Sequence, residues 1–356
     1  MACRLGPGLA GEAPVCIRPA RLQGSPLPWA RRCTTEDGQG LEVLERFLER
    51  WLSDGRVFSS DHAAGISFDG SSKSRPGQLR GVFLMRVFSA SPREMFASLW
   101  RNRELIKTSA KREVHGRYRG SVMGILWSFF NPVFMLAVYT FVFSEVFKAR
   151  WSGGGESKSE FALVLFAGLI VFNIFSECIN RAPGLILANS NYVKKVVYPL
   201  EILPWVTLLS ALFHAAISLC VWLLAYVAFF GIPHATALYL PLIVLPFLLF
   251  VMGLSWALAS LGVFLRDVSQ LVGVITTVLM FLSPIFYPAA ALPEDYRHLV
   301  YLNPLTPVIE QTRDVLFWGK SPEFVLMGWY WIFALAIACL GFAWFQKTRS
   351  GFADVL

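Results

Sequence analysis

The chain has 356 residues, 55% of them hydrophobic and 16% charged, with a mean hydropathy of +0.52 and a formal net charge of +8. Soluble domains carry about 25% charged residues, so this composition excludes an ordinary soluble enzyme and indicates an all-α polytopic membrane protein. The cations collect beside apolar runs, which assigns them to anionic lipid headgroups and the positive-inside bias rather than to nucleic acid.

Residues 1–84 form a separate regime rich in Gly, Pro, Ser and Arg, without the apolar core of a secretory signal. This stretch is expected to be a weakly ordered extension, with a translational start at Met85 as the other reading. Within it, Leu41, Leu44, Leu48 and Trp51 recur at helical spacing and suggest a short surface helix. The stretch 65–74 has the two glycines of a phosphate-binding loop, but Ser71 stands where that loop needs Lys. It offers no ATP site.

Residues 85–122 read as a basic interface region. Met95, Leu99, Leu105 and Ile106, with Trp100, alternate with Arg93, Arg101, Arg103 and Lys107. That pattern suits an amphipathic helix on a membrane surface, with a solvated helix as the alternative. The segment KREVHGRYRGS, residues 111–121, follows. It holds Lys111, Arg112, Arg117 and Arg119 plus the titratable His115, directly before the first long apolar run.

Residues 123–356 are expected to form a six-span transmembrane domain, with spans near 123–147, 161–180, 204–230, 236–264, 268–288 and 324–345. Each approaches the ~20 residues that cross a ~30 Å hydrocarbon core. Pro241 and Pro246 lie in the fourth. The fifth closes on LSPIFYP, where Pro284 and Pro288 should break or bend the helix near the membrane surface. With the N-terminus inside, fourteen Lys and Arg flank the inner side against six on the outer side. The distribution places both termini in the cytosol.

The spans hold few ionisable groups, chiefly His214, with Glu145, Glu177 and Arg181 near span ends. Glu177 and Arg181 are spaced to pair on one helix face. Membrane enzymes and ion-coupled carriers rely on intramembrane ionisable groups, so a multipass glycosyltransferase or a secondary transporter fits poorly. The six cysteines make no metal-ligand spacing. The loop 188–205 offers Asn189 and Asn191 as caps, then Val193, Val196 and Val197 on one side and Lys194 and Lys195 on another. Its short helix is shaped either to dock into a partner's groove or to rest on lipid. Trp127, Phe130, Phe134, Phe141 and Tyr139 recur at near-helical spacing, suited either to stacking on sugar faces or to facing lipid.

Five segments then occur in a characteristic order: KREVHGRYRGSVMGILWSFFNPVFMLAVYTFVFS, YVKKVVYPLEILP, LASLGVFLRDVSQ, FLSPIFYP and NPLTPVIEQTRDVLFWG. Over about residues 93–356 they resemble the type-2 ATP-binding-cassette permeases that export bacterial surface polysaccharides such as O-antigen, capsule and teichoic acid. The resemblance implies an inner-membrane homodimer of six-span subunits, each bound to a separate nucleotide-binding subunit that holds ATP and Mg. It implies that this chain binds no cofactor, performs no catalysis and extrudes a lipid-linked glycan. It assigns Tyr192, Lys194, Lys195, Tyr198, Pro199 and Glu201 to the element that meets the ATPase. Arg112, Glu113, Arg117, Tyr118 and Arg119 fall to the substrate-access region, the 289–323 segment to helices closing the far side, and Trp127, Phe130, Phe134 and Tyr139 to the channel lining. A type-2 permease for a drug or another lipid is the alternative within the same class.

Overall fold

The computed structural model describes residues 91–142, 158–194, 198–289 and 293–356. The 1–84 regime with its expected helix, the last residues of the first expected span, and Lys195 lie outside the described residues. Within them the chain is helical and forms no strand.

The interface region is two helices, α1 (Pro92–Arg101) and α2 (Arg103–Arg117), where the alternating pattern suggested one. Ser91 Oγ accepts from the Glu94 amide and Pro92 occupies the first turn, so α1 has a well-made start. It stops because the Asn102 side chain folds back onto the Ser98 carbonyl at 2.9 Å, an asparagine competing with the helix for its own backbone. Met95 on α1 and Ile106, Ala110 and Val114 on α2 are buried. Trp100 and Leu105, expected on the same apolar face, are exposed, and the Arg103 guanidinium lies 4.8 Å from the Trp100 ring centre. Left-handed backbone at Gly120 and Gly124 (φ 84° and 54°) then turns the chain towards the first apolar helix.

That helix, α3, is Trp127–Phe141, entered through a 3-10 turn at Gly124–Leu126. It is followed by α4 (Lys158–Arg181), α5 (Leu203–Phe230), α6 (Leu240–Phe264) and α10 (Phe324–Thr348). These five are long and apolar enough to cross a membrane, α3 together with its leading turn. The chain is a multi-pass membrane protein. A sixth apolar helix, α7 (Val268–Leu282), is shorter and stops before Pro288. Its end is local chemistry: Ser283 precedes Pro284, the proline ring disfavours helical geometry one residue earlier, and Ser283 is extended at ψ 146°. The chain then forms α8 (Glu294–Leu302), α9 (Thr306–Arg313) and a π turn at Asp314–Trp318 before α10.

Two features hold this bundle together. A Cβ on Gly341 would stand 2.0 Å from the Gly253 carbonyl oxygen, and one on Gly253 2.5 Å from the Ile337 oxygen. α6 and α10 therefore meet backbone to backbone, the close approach that small residues permit between membrane helices. At the other feature, Arg313 reaches from α9 into the bundle and donates to the carbonyls of Val164, Pro284 and Ile285. These carbonyls belong to α4 and to the segment after α7, so one cation joins three parts of the chain. Gly168 makes its room, since a Cβ there would lie 2.7 Å from the guanidinium.

Candidate functional site

The bundle has a basic end, where α1, α2, the 188–205 loop and the C-terminus gather, and a far end carrying α8 and α9. On the basic side of the bundle, α3, α4 and α5 enclose a cavity of about 690 Å³. α4 is buried over most of its length, yet Asn173 and Asn180 are exposed on it, with Ser176, Glu177 and Arg181 half-buried between and beside them. The spacing i, i+3, i+4, i+7 and i+8 places all five on one stripe. That stripe lines the cavity opposite Asn131 of α3 and His214 and Ser218 of α5. At 1.5 Å per residue, Asn173 lies about 12 Å into the helix from Arg181.

The mouth of the cavity is an ionic cluster. Arg117, at the end of α2, pairs with Glu177, which also meets Arg181 at 3.5 Å, and Arg181 in turn pairs with Glu113 of α2. The Glu177–Arg181 contact is the pair that helical spacing suggested. His214 Nδ1 lies 3.2 Å from the Ser210 carbonyl, which can only accept, so Nδ1 carries the proton. Nε2 is then the acceptor for the Tyr118 hydroxyl at 3.1 Å and for Arg117 Nη1 at 3.3 Å. His214 is a hydrogen-bonding partner of the mouth. Burial pushes the Tyr118 phenol pKa up, with the Arg117 charge opposing it, so Tyr118 remains a neutral donor.

The five expected access residues divide between places. Arg117 and Tyr118 line this cavity; Arg112, Tyr118 and Arg119 line a second, also about 690 Å³, with Thr108, Lys111 and His115. Tyr118 borders both. Glu113 serves the first cavity through Arg181. Of the aromatic candidates, Trp127 and Tyr139 line the main cavity. Phe130 and Phe134 contact each other at 6.3 Å between ring centres and lie outside its lining, Phe134 being 59% exposed.

The 188–205 loop is built from two short helical turns, Leu185–Ala188 and Ser190–Lys194, and a 3-10 turn at Leu200–Ile202. Tyr192 and Tyr198 stack with ring centres 4.4 Å apart and planes 14° from parallel. Burial pushes the Tyr198 phenol up while a hydrogen bond to Ser109 of α2 opposes it. Pro199 is half-buried ahead of the 3-10 turn, and Glu201 is buried rather than presented outward. The side chain of Lys194 lies outside the described residues.

The sequence pattern of the ABC-2 type transporter family matches residues 104–317, more than half of the chain. The chain belongs to the ABC-2 type transporter family. Among its relatives are the O-antigen export system permease proteins RfbA of Myxococcus xanthus, 26% identical over 263 residues, and of Klebsiella pneumoniae, 25% identical over 255 residues. These alignments cover 72% and 71% of this chain and 96% and 95% of the relatives. The polysialic acid transport protein KpsM of Escherichia coli is 26% identical over 245 residues, covering 67% of this chain and 90% of the relative.

For an ABC-2 transporter the informative surprise is the polar stripe on α4. Aromatic spacing drew attention to α3, but Asn173, Ser176 and Asn180 recur at helical spacing inside an apolar span and could have been read as a second stripe. Hydropathy conceals them, because the most apolar 18-residue stretch of α4 still averages 2.2.

Proposed function

We propose that this chain is the permease subunit of an ATP-driven exporter that moves lipid-linked polysaccharide across the bacterial inner membrane. It works as a homodimer with a separate nucleotide-binding subunit, in which ATP and Mg would reside, and both its termini face the cytosol. Membership in the ABC-2 family and the similarity to O-antigen and polysialic acid permeases over most of their length support this reading.

The observation that carries it is the cavity. Among the described residues no hydrogen bond engages the Asn131 or Asn173 amides, and both are exposed to the cavity from apolar helices, where polar groups are kept for function. Amides and hydroxyls beside Trp127 and Tyr139 suit a sugar, whose hydroxyls hydrogen-bond and whose C–H faces stack on rings. Arg112 and Arg119, with Lys111 and His115, form a cationic pocket at the same end for the phosphates of a lipid carrier. Tyr118 bridges the two, so carrier phosphate and first sugar would meet at the end of α2. In the loop, Tyr192, Lys194, Lys195, Tyr198 and Pro199 would meet the ATPase, with Glu201 behind them. Closure of that subunit would shift the permease between two states.

Deleting the gene and locating the polysaccharide tests this. Glycan trapped inside the cell, restored to the surface by the intact chain, supports the reading; unchanged surface glycan overturns it. Charge reversal at Arg112 and Arg119 should abolish restoration while leaving the protein folded in the membrane.

A further inference from the structure

At the basic end, one buried cluster joins elements that are remote in sequence. The Glu201 carboxylate, in the 3-10 turn ahead of α5, accepts from Arg349 Nη1 at 2.5 Å and from Ser98 Oγ of α1 at 3.2 Å. Arg349, just beyond α10, also donates from Nη2 to the Tyr198 carbonyl at 3.0 Å. The Trp256 indole of α6 donates to the Glu201 carbonyl at 3.0 Å. Asn102, at the break between α1 and α2, donates to Ser98 Oγ at 3.3 Å. The Arg349 and Glu201 side chains are 12% and 8% exposed.

Charges held this dry give up their hydration, and an apolar pair of the same volume is often as stable. What the ion pair adds is direction. Its bonds fix the Tyr198 carbonyl and the Ser98 hydroxyl to one carboxylate–guanidinium unit, which apolar packing cannot do. Tyr198 belongs to the loop assigned to the ATPase. Ser98 belongs to α1, which passes through Asn102 into α2. Ile106 and Ala110 pack α2 on Ile202 and Val206, and its final turns carry Glu113 and Arg117 to Arg181 and Glu177 at the cavity mouth. A displacement of the loop is therefore felt by the helix that closes the mouth.

We propose that Arg349 is a positioning residue that, through Glu201 and Ser98, locks the 188–205 loop to α1 and α2 and so delivers the ATPase stroke to the ionic cluster at the cavity mouth. This rests on the exporter reading above, because the stroke must come from a nucleotide-binding partner. Spatial continuity alone does not establish coupling; a displacement that is lost when the lock is removed does.

The test uses the full permease co-purified with its nucleotide-binding subunit in lipid nanodiscs, with native cysteines replaced by alanine. Spin labels at Lys111→Cys on α2 and Gly184→Cys after α4 report the mouth distance with and without a non-hydrolysable ATP analogue. The analogue should shift that distance in the parent complex. In Arg349→Met/Glu201→Gln, which strands no buried charge, the shift should shrink about fivefold while assembly and nucleotide binding persist. Arg349→Lys should restore most of it, which a merely space-filling role would not require. If the double variant does not fold, Ser98→Ala removes one hydroxyl and should still reduce the shift about twofold. A full shift in whichever of these variants assembles overturns the proposal, as does a parent complex in which nucleotide moves nothing. Failure of the parent chain to bind any nucleotide-binding subunit instead overturns the exporter reading beneath it.

Discussion

Two groups of helices in this bundle pack by opposite rules. α6 and α10 meet through Gly253 and Gly341 so closely that neither position has space for a methyl group, and Trp256 and Phe342 stack edge to face across the same seam. α4 and α5 also pack directly, the Trp222 indole donating to the Leu163 carbonyl at 2.8 Å, but together with α3 they open around a cavity and present amides, hydroxyls and charges to it. Both groups are made from apolar helices of similar hydropathy, so average composition does not distinguish them. The placement of small residues in one and polar residues in the other does. Backbone contact fixes α6 against α10, whereas the mouth of the α3–α5 group is tied to α2 by ion pairs between Arg117 and Glu177 and between Glu113 and Arg181. The first is a close-packed seam and the second leaves open volume between its helices.

The contrast breaks first at the seam. Gly341→Leu should cost about 3 kcal/mol or more, because the clash is with backbone and no rotamer relieves it. Thermal unfolding in detergent should show a large drop or no folded protein. A variant with parent stability would mean that the helices are not locked there. Arg313→Met comes next. It takes a donor from three buried carbonyls, two of them, Pro284 and Ile285, outside any helix, and a loss of about 3 kcal/mol is expected in the same assay. Burial already pulls the Arg313 pKa down while Glu310 and Asp314 pull it up, so the carbonyls and these acids together keep it charged.

Much of this architecture is legible in the sequence, and the gaps have physical causes. Apolar run lengths located the long helices, since each must satisfy its backbone internally in lipid. The break at Asn102 escaped the alternating pattern because it depends on one side chain turning back to Ser98. The stop at Leu282 was legible in Pro284, one of the two prolines expected to break or bend the helix, although the expected span runs on to Pro288. Aromatic spacing on α3 marked Trp127 and Tyr139, yet it could not exclude Phe130 and Phe134, because periodicity defines a face without saying what the face meets. Arg117 and Glu177 lie 60 residues apart, and Glu201 and Arg349 lie 148 apart. Nothing local in the sequence pairs them.

The remaining predictions sharpen the open side of the comparison. Glu177→Gln frees Arg117 at the mouth and leaves Arg181 paired with Glu113, and since the Arg117 side chain is 38% exposed the stability cost should be only about 0.5–1 kcal/mol. Its effect should appear in transport: a mouth that no longer closes leaks a small soluble dye from vesicles in the absence of ATP. A tight vesicle would mean that the cluster is a fastening and not a gate.

Asn173→Leu should have the smallest effect on folding and the most telling one on function. The amide faces the cavity, has no hydrogen-bond partner among the described residues, and lies about 12 Å along α4 from the mouth. Replacing it with an apolar side chain of similar size removes no hydrogen bond and disturbs no buried packing, so unfolding should change by no more than about 0.5 kcal/mol. If the stripe exists to hydrogen-bond a passing sugar, the same change should lower surface glycan several-fold at equal permease abundance. Equal stability with equal export would make Asn173 an ordinary lining residue and return the weight of substrate passage to Trp127 and Tyr139. Stability and transport pull apart at this position only if the polar group is kept for the cargo, because the fold gains nothing from it.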